Sequence, residues 1–228
     1  MRDSVAWLGR TLVIAPHADD EVLGCGALLA RLAREGLEPV VGIVSHGHQP
    51  DYPKEQVEAL KREAALAHSR LGVAETHWLG LPAARLDSIP HADLNSAIGS
   101  LVTKVAPDTL LLPHPGDIHL DHRLVFESGM VAARPSGGRY PRTVMCYETL
   151  SETNWNAPGL SPAFTPNLFV DVTDTLAAKL DAFRAYGSQV KPDPHERSVS
   201  AIEALARLRG GTVHVQHAEA FLLVRMVG

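Results

Sequence analysis

The chain has 228 residues, 45% of them hydrophobic, and a formal net charge of −5 at pH 7. That length and apolar content suit one domain spanning residues 1–228, and a mildly acidic balance without a basic stripe argues against nucleic acid as a partner. The apolar segments are short and broken by charges, which leaves no transmembrane segment. Cys25 and Cys146 are too few for a disulfide framework, so a cytoplasmic location is expected.

The first ten residues lead directly into an apolar run, Thr11–Ala15, which leaves no room for a signal peptide. That run reads as a buried strand. Behind it, Pro16-His17-Ala18-Asp19-Asp20-Glu21 packs one imidazole and three carboxylates into five residues. Carboxylates crowded at a strand exit repel one another unless a cation sits among them. His17 and Asp20, three apart, are donors that a divalent metal of borderline softness takes. Asp19 beside them is free to handle a proton. Taken alone, Asp19-Asp20 would read as the N-terminal cap of a helix.

Residues 21–35 are helical, with Val22, Leu28, Leu29 and Leu32 on one face, and 38–45 form a second buried strand. A helix over about 54–71 opens after Pro53 and stops at Gly72. A strand near 75–79, a helix near 91–105, a strand at 108–113, a helix at about 121–133 and a strand near 142–148 continue the alternation. Residues 151–166 read as a long loop. A strand at 167–172, helices at about 174–186 and 195–209, and an apolar stretch at 221–227 complete the chain. Near-continuous apolar strands between amphipathic helices imply an α/β fold. The expected architecture is a Rossmann-like, mostly parallel sheet with helices on both faces, its core at about 11–150 and a C-terminal elaboration at about 151–228.

Ligands of such sheets lie at the carboxyl ends of the strands. The loops 16–21, 45–52 and 113–122 fall there, and they carry much of the excess of a chain with twelve histidines. Residues 113–122 hold His114, Asp117, His119, Asp121 and His122. His119 and His122 are three apart at the predicted start of a helix, so both can face one point. A His/Asp/His set drawn from two loops, with water, makes a catalytic zinc site with an open position. Asp121 is available to orient a ligating imidazole. His114 or His195 alone reads as an ordinary solvated or hydrogen-bonded side chain.

Gly24-Cys25-Gly26 after the first strand invites a dinucleotide reading, but no full G-x-G-x-x-G is present. Asp19, Asp20 and Glu21 occupy the place where phosphate would sit and would repel it. No nucleotide cofactor is expected. The glycines suit close helix–sheet packing, and Cys25 is a small buried side chain rather than a nucleophile.

Pro16-His17-Ala18-Asp19-Asp20-Glu21 with Leu23-Gly24-Cys25-Gly26 resembles the A-H-P-D-D-E-x-x-G-x-G-G signature of the PIG-L/LmbE-like zinc-dependent N-deacetylases. His119-Leu120-Asp121-His122 is similar to that family's second motif, H-x-D-H. Glu63 with Leu71-Gly72-Val73, the stretch from Lys179 to Ser188-Gln189, and Ala218-Glu219-Ala220-Phe221 resemble later family segments. The resemblance implies His17, Asp20 and His122 as ligands of Zn2+, with iron or nickel as substitutes. It implies Asp19 as general base, and His119 as oxyanion stabiliser or acid with Asp121 behind it. The proton for the departing amine would come from Asp19 or from His119.

The implied activity is removal of an N-acetyl group from an N-acetylglucosamine-type sugar or sugar conjugate. The alternatives are an amidase on a different acyl-amino or thiol-sugar conjugate, and a non-catalytic carbohydrate- or metal-binding protein. The implied partner is a small amino-sugar substrate, and homo-oligomer formation stays open. Ala18 and Ala27 stand where the signature has proline and glycine. Many members carry a substrate-contacting arginine three residues before the glutamate equivalent to Glu63, where this chain has Leu60. Arg85, Arg123 and Trp155 are the substitute substrate contacts that the sequence offers.

Overall fold

The computed structural model describes residues 4–135 and 138–228. Residues 1–3, at the start of the N-terminal lead-in, and 136–137 lie outside the described residues. Seven strands form one sheet: β1 (Thr11–Ala15), β2 (Val40–His46), β3 (Glu75–Pro82), β4 (Thr109–Pro113), β5 (Thr143–Tyr147), β6 (Leu168–Asp171) and β7 (Ala218–Met226), in the order β3-β2-β1-β4-β5-β7-β6. The helices are α1 (Asp20–Arg34), α2 (Lys54–Leu71), α3 (His91–Val105), α4 (Leu120–Ala132), α5 (Leu176–Ala185) and α6 (Val199–Thr212).

Strands β3, β2, β1, β4 and β5 are parallel. The returning β7 lies antiparallel between β5 and β6. Successive side chains of a strand point to opposite faces, and the core divides accordingly. Val13, Val41, Ile43 and Leu111 pack with α1 and α5 on one side. Leu12, Ile14, Val40, Val44, Leu110 and Leu112 pack with α3 and α4 on the other. Burial on both faces is why these strands read as continuous apolar runs rather than as alternation. No helix among the described residues is long and apolar enough to cross a membrane.

Several boundaries differ from the sequence reading. β3 runs on to Pro82 and β7 begins at Ala218. α6 starts at Val199 rather than near 195, because the Ser198 side chain caps it by accepting from Ala201 N at 3.2 Å. Three short 3-10 turns, Ala6–Leu8, Leu86–Ser88 and Thr153–Trp155, were not expected.

One feature of the order positions the site. From β1 the chain moves outward to β2 and β3, then crosses back to place β4 on the other side of β1. The strand order therefore reverses between β1 and β4, which opens a crevice beyond their carboxyl ends. The segments that follow these two strands, 16–19 and 114–119, carry the two His/Asp clusters into it.

Candidate metal centre and active-site cavity

The segment after β1 is tied down at both ends. Pro16 O accepts from Ser45 N at 3.1 Å and from Ser45 Oγ at 2.7 Å, which fixes it to β2. His17 N donates to Asp20 Oδ2 at 2.9 Å. Between them Asp19 takes φ 114°, a conformation L residues rarely hold. Its backbone N–H donates to Glu21 Oε2 at 3.0 Å. Glu21 is fully buried, and its other oxygen takes His68 Nε2 at 3.1 Å and the Tyr186 hydroxyl at 2.5 Å. The acid that starts α1 thus also braces the backbone of Asp19.

His17, Asp20 and His122 converge. His17 Nδ1 is 3.3 Å and His122 Nε2 is 3.2 Å from the same Asp20 oxygen, and the three form a group able to hold a metal ion. The remaining nitrogen of each imidazole rests on a carboxylate: His17 Nε2 on Asp121 at 3.0 Å, and His122 Nδ1 on Asp117 at 2.8 Å. An acceptor on the outer nitrogen assigns the proton there and turns the lone pair of the inner nitrogen toward Asp20. His122 Nε2 is buried without a hydrogen-bond partner. A buried ring nitrogen that faces a carboxylate and has no hydrogen-bond partner suits a cation, so these residues fit a metal.

The electrostatics favour a proton at the same place, which a metal would have to displace. Burial opposes charge on His122, but Asp20 and Asp117 outweigh it and raise the imidazole to about 10. His17 is raised in the same way, with burial overcome by Asp121 and Asp20. Burial also works against ionised Asp20, yet His122 and His17 hold it far below the usual carboxylate range. The pocket is built to keep positive charge beside Asp20.

His119 caps α4, its Nδ1 accepting from Asp121 N at 3.1 Å. Burial and the charges of His17 and His122 lower its basicity. It lines a cavity of about 570 Å³ together with Asp19, Asp20, Glu152, Gln189 and Arg197. That size is within the range of small-ligand sites. Burial, reinforced by Asp20, pushes Glu152 up to about 7 despite the nearby imidazoles.

The family resemblance set Asp121 behind His119, whereas the residues themselves offered it as a group to orient a ligating imidazole, and the geometry fits the second reading. The Asp121 carboxylate meets His17 Nε2 and accepts from Ala84 N at 2.8 Å and Leu86 N at 3.2 Å. The imidazole of His122 has its own carboxylate, Asp117, whose other oxygen accepts from Thr153 Oγ1 at 2.7 Å. An acid five residues before a ligand in the same loop was the signal for it. Arg85, Arg123 and Trp155 do not line the cavity. Arg85 pairs with Asp51 at 2.6 Å, Arg123 is exposed, and Trp155 is 61% exposed with its indole N–H on Glu196. Leu60 does line the cavity, while Glu63 braces Ser188 through its backbone N–H and hydroxyl. The guanidinium that enters the cavity belongs to Arg197, which carried no motif or periodic signal.

An α/β fold with a His/Asp/His group at its switch point, a further carboxylate beside it and an open cavity defines a metallohydrolase-type enzyme. Residues 12–133 match the PIG-L family, described as GlcNAc-PI de-N-acetylase, and the chain belongs to this family. It is an N-deacetylase of the hydrolase class. It is 26% identical to the diacetylchitobiose deacetylase of Thermococcus kodakarensis, across 94% of this chain and 83% of that protein. It is 28% identical to the 2'-N-acetylparomamine deacetylase of Streptomyces fradiae, across 92% of this chain and 85% of that one. Among solved structures, the conserved protein TT1542 of Thermus thermophilus superposes with a TM-score of 0.77 at 26% identity, covering 96% of each chain.

Proposed function

We propose that this protein removes the N-acetyl group from an N-acetylglucosamine-type sugar or sugar conjugate, with Zn2+ held by His17, Asp20 and His122. One observation carries the proposal: two carboxylate-clamped imidazoles converge on Asp20 Oδ2, with Asp19 at their side in the same cavity. Zinc bound there supplies Lewis-acid polarisation of the amide carbonyl and acidifies a water molecule.

The chain's own groups do the rest. Asp19 takes the proton of the attacking water as general base. His119 keeps its ring proton on Nε2, because Nδ1 already accepts from Asp121 N. A neutral imidazole of that tautomer donates a hydrogen bond to the oxygen that gains charge as the tetrahedral centre forms. What supports Asp19, rather than His119, as proton donor to the leaving amine is the lowered basicity of His119. Asp121 and Asp117 act through the histidines they hold. The whole chain is read as one domain, because β7 closes the same sheet that carries the site. A reducing, cytoplasmic setting is supported by two buried free cysteines.

The test is acetate release from N,N'-diacetylchitobiose by the zinc-loaded protein and its Asp19→Asn variant. The variant is expected to keep its zinc and lose at least about 100-fold in turnover. More than a tenth of wild-type turnover in Asp19→Asn would refute the base assignment. Release of a larger acid from other amides, with none from N-acetyl sugars, would favour the amidase alternative. Stoichiometric zinc without any hydrolysis would favour a binding protein.

A further inference from the structure

Arg197 sits in the turn between α5 and α6, far along the chain from both His/Asp clusters, and its guanidinium reaches Asp19 Oδ2 inside the cavity. Its side chain is 20% exposed. Nε is buried and has no hydrogen-bond partner, while Nη2 rests against Asp19 Oδ2. A guanidinium offers five donors and no acceptor. Leaving the buried Nε–H unused is costly unless a ligand takes it up.

The turn that carries Arg197 is held firmly. Arg197 N donates to His195 Nδ1 at 3.0 Å, Lys191 N donates to Arg197 O at 3.2 Å, and Ser198 N donates to His195 O at 2.8 Å. The adjacent Glu196 accepts from Trp155 Nε1 at 2.8 Å and from the Asn154 amide, which docks the turn on the 151–166 loop. Arg197 is therefore presented to the cavity by a built support. The lining also includes the apolar Leu60.

We infer that Arg197 is the substrate-anchoring residue of this site, donating to a sugar oxygen next to the acetamido carbon. This rests on the deacetylase reading above. The scissile amide must lie between Asp19 and His119 if the base and the oxyanion donor are to reach it. A side chain in contact with Asp19 then meets the substituents flanking that amide. In an N-acetylhexosamine these are the oxygens on the neighbouring ring carbons, which accept hydrogen bonds. Arg197 pairs with Asp19 while the cavity is free of substrate, and its donors pass to the sugar oxygen when substrate enters. The carboxylate of Asp19 is then released for the water.

The experiment compares zinc-loaded wild type, Arg197→Ala and Arg197→Lys. The readouts are zinc content, KM and kcat for acetate release from N,N'-diacetylchitobiose, and calorimetric affinity for the same sugar. Arg197→Ala is expected to keep its zinc, to raise KM and Kd about 10- to 100-fold, and to change kcat less. Lysine should not restore binding, since a point charge does not reproduce the planar fork. Guanidinium ion added to Arg197→Ala should recover part of the lost affinity.

An unchanged KM and Kd in Arg197→Ala would overturn the inference, as would a loss of zinc large enough to account for the change. If wild type binds the sugar without releasing acetate, and Arg197→Ala loses that binding, the deacetylase reading fails and the anchoring role stands. If wild type neither binds nor cleaves the sugar, both fail.

Discussion

Asp117→Asn is the sharpest test of how the metal centre is held. The Asp117 and His122 side chains are fully buried and 2.8 Å apart, and Asp117 Oδ1 also accepts from Thr153 Oγ1. Asparagine has the same shape, and its carbonyl oxygen can still accept from His122 Nδ1–H. The substitution therefore removes charge rather than volume or tautomer control. A hydrogen bond to a charged group contributes about 1.5–3 kcal/mol, and about 1.4 kcal/mol is a factor of ten in affinity. The expected loss of zinc affinity is thus about 10- to 100-fold, the range typical of groups that orient metal-bound histidines. Asp117→Ala is the poorer variant, because it also strands the Thr153 hydroxyl and with it the turn that holds Thr149 N at 2.8 Å. Competition for zinc against a chelator of known affinity at fixed pH gives the answer. An affinity within about twofold of wild type would mean that Asp117 is only a packing group, contrary to its position at a ligand nitrogen.

Asp121→Asn should weaken zinc by a similar factor through His17, and should further loosen the 84–86 segment whose N–H groups it receives; normal affinity would separate Asp121 from the metal. Zinc binding should also be strongly pH-dependent. In chelated protein His122 stands at about 10 against 6.5 for the free side chain, so its ion-pair contribution to stability is complete below about pH 6.5 and is lost as pH climbs through 10. Asp20 is depressed below 3.8, so its contribution holds above that value and is lost as pH falls further below it. A metal needs His122 neutral and displaces that proton. Calorimetry at pH 7 in two buffers of different ionisation heat should show at least about one proton released per zinc, and none released would contradict the pairing. Gly24→Ala is expected to be harmful without touching the site's chemistry. Its Cβ would fall 2.2 Å from Tyr147 Cδ2, on a fully buried ring whose hydroxyl donates to Ile14 O at 2.9 Å. Overpacking of this kind costs about 1–3 kcal/mol, a fall of about 2–12 °C in Tm for a chain this long, and an unchanged Tm would show that the ring can move aside.

The fold was legible where one physical rule acted alone. Strands covered on both faces must be apolar throughout, so Thr11–Ala15 and Thr109–Pro113 stood out. Gly72 closes α2 at φ 73°, where a left-handed cap favours glycine. Legibility failed where the cause lay outside the local sequence. β7 begins three residues before its apolar run because Ala218 pairs with Asp171 on β6. Glu219, in that early part, is buried against Lys179 at 2.6 Å and receives Ala27 N and Leu28 N of α1. A charge at that position looks like a surface residue until its partners are known. The Thr153–Trp155 turn gave no periodic pattern because it is short and held by individual hydrogen bonds, such as Thr149 N to Thr153 Oγ1.

The site divides along the same line. His17, Asp20 and His122 could be read because metal binding demands particular donor types at short spacing. Of the supports, Asp121 was offered as a group to orient a ligating imidazole, but Asp117 was not singled out, because many side chains can orient a histidine; the spacing that joins Arg197 to Asp19 is a tertiary accident of where α6 begins. Glu21 shows how far local reasoning reaches. As the second residue of α1 it has the favourable charge for a helix start, and that reading is correct as far as it goes. Its burial, however, calls for another reason, since an ionised side chain is rarely placed out of water without specific partners. The reason is Asp19. A non-glycine residue at φ 114° costs of order 1–3 kcal/mol, and one charge-assisted bond from its N–H to Glu21, at about 1.5–3 kcal/mol, is of the right size to hold it. His68 and Tyr186 then keep Glu21 in place from α2 and from the end of α5. The aim of one carboxylate into the cavity is set by a chain of contacts through two other helices, and no reading of residues 16–21 alone contains it.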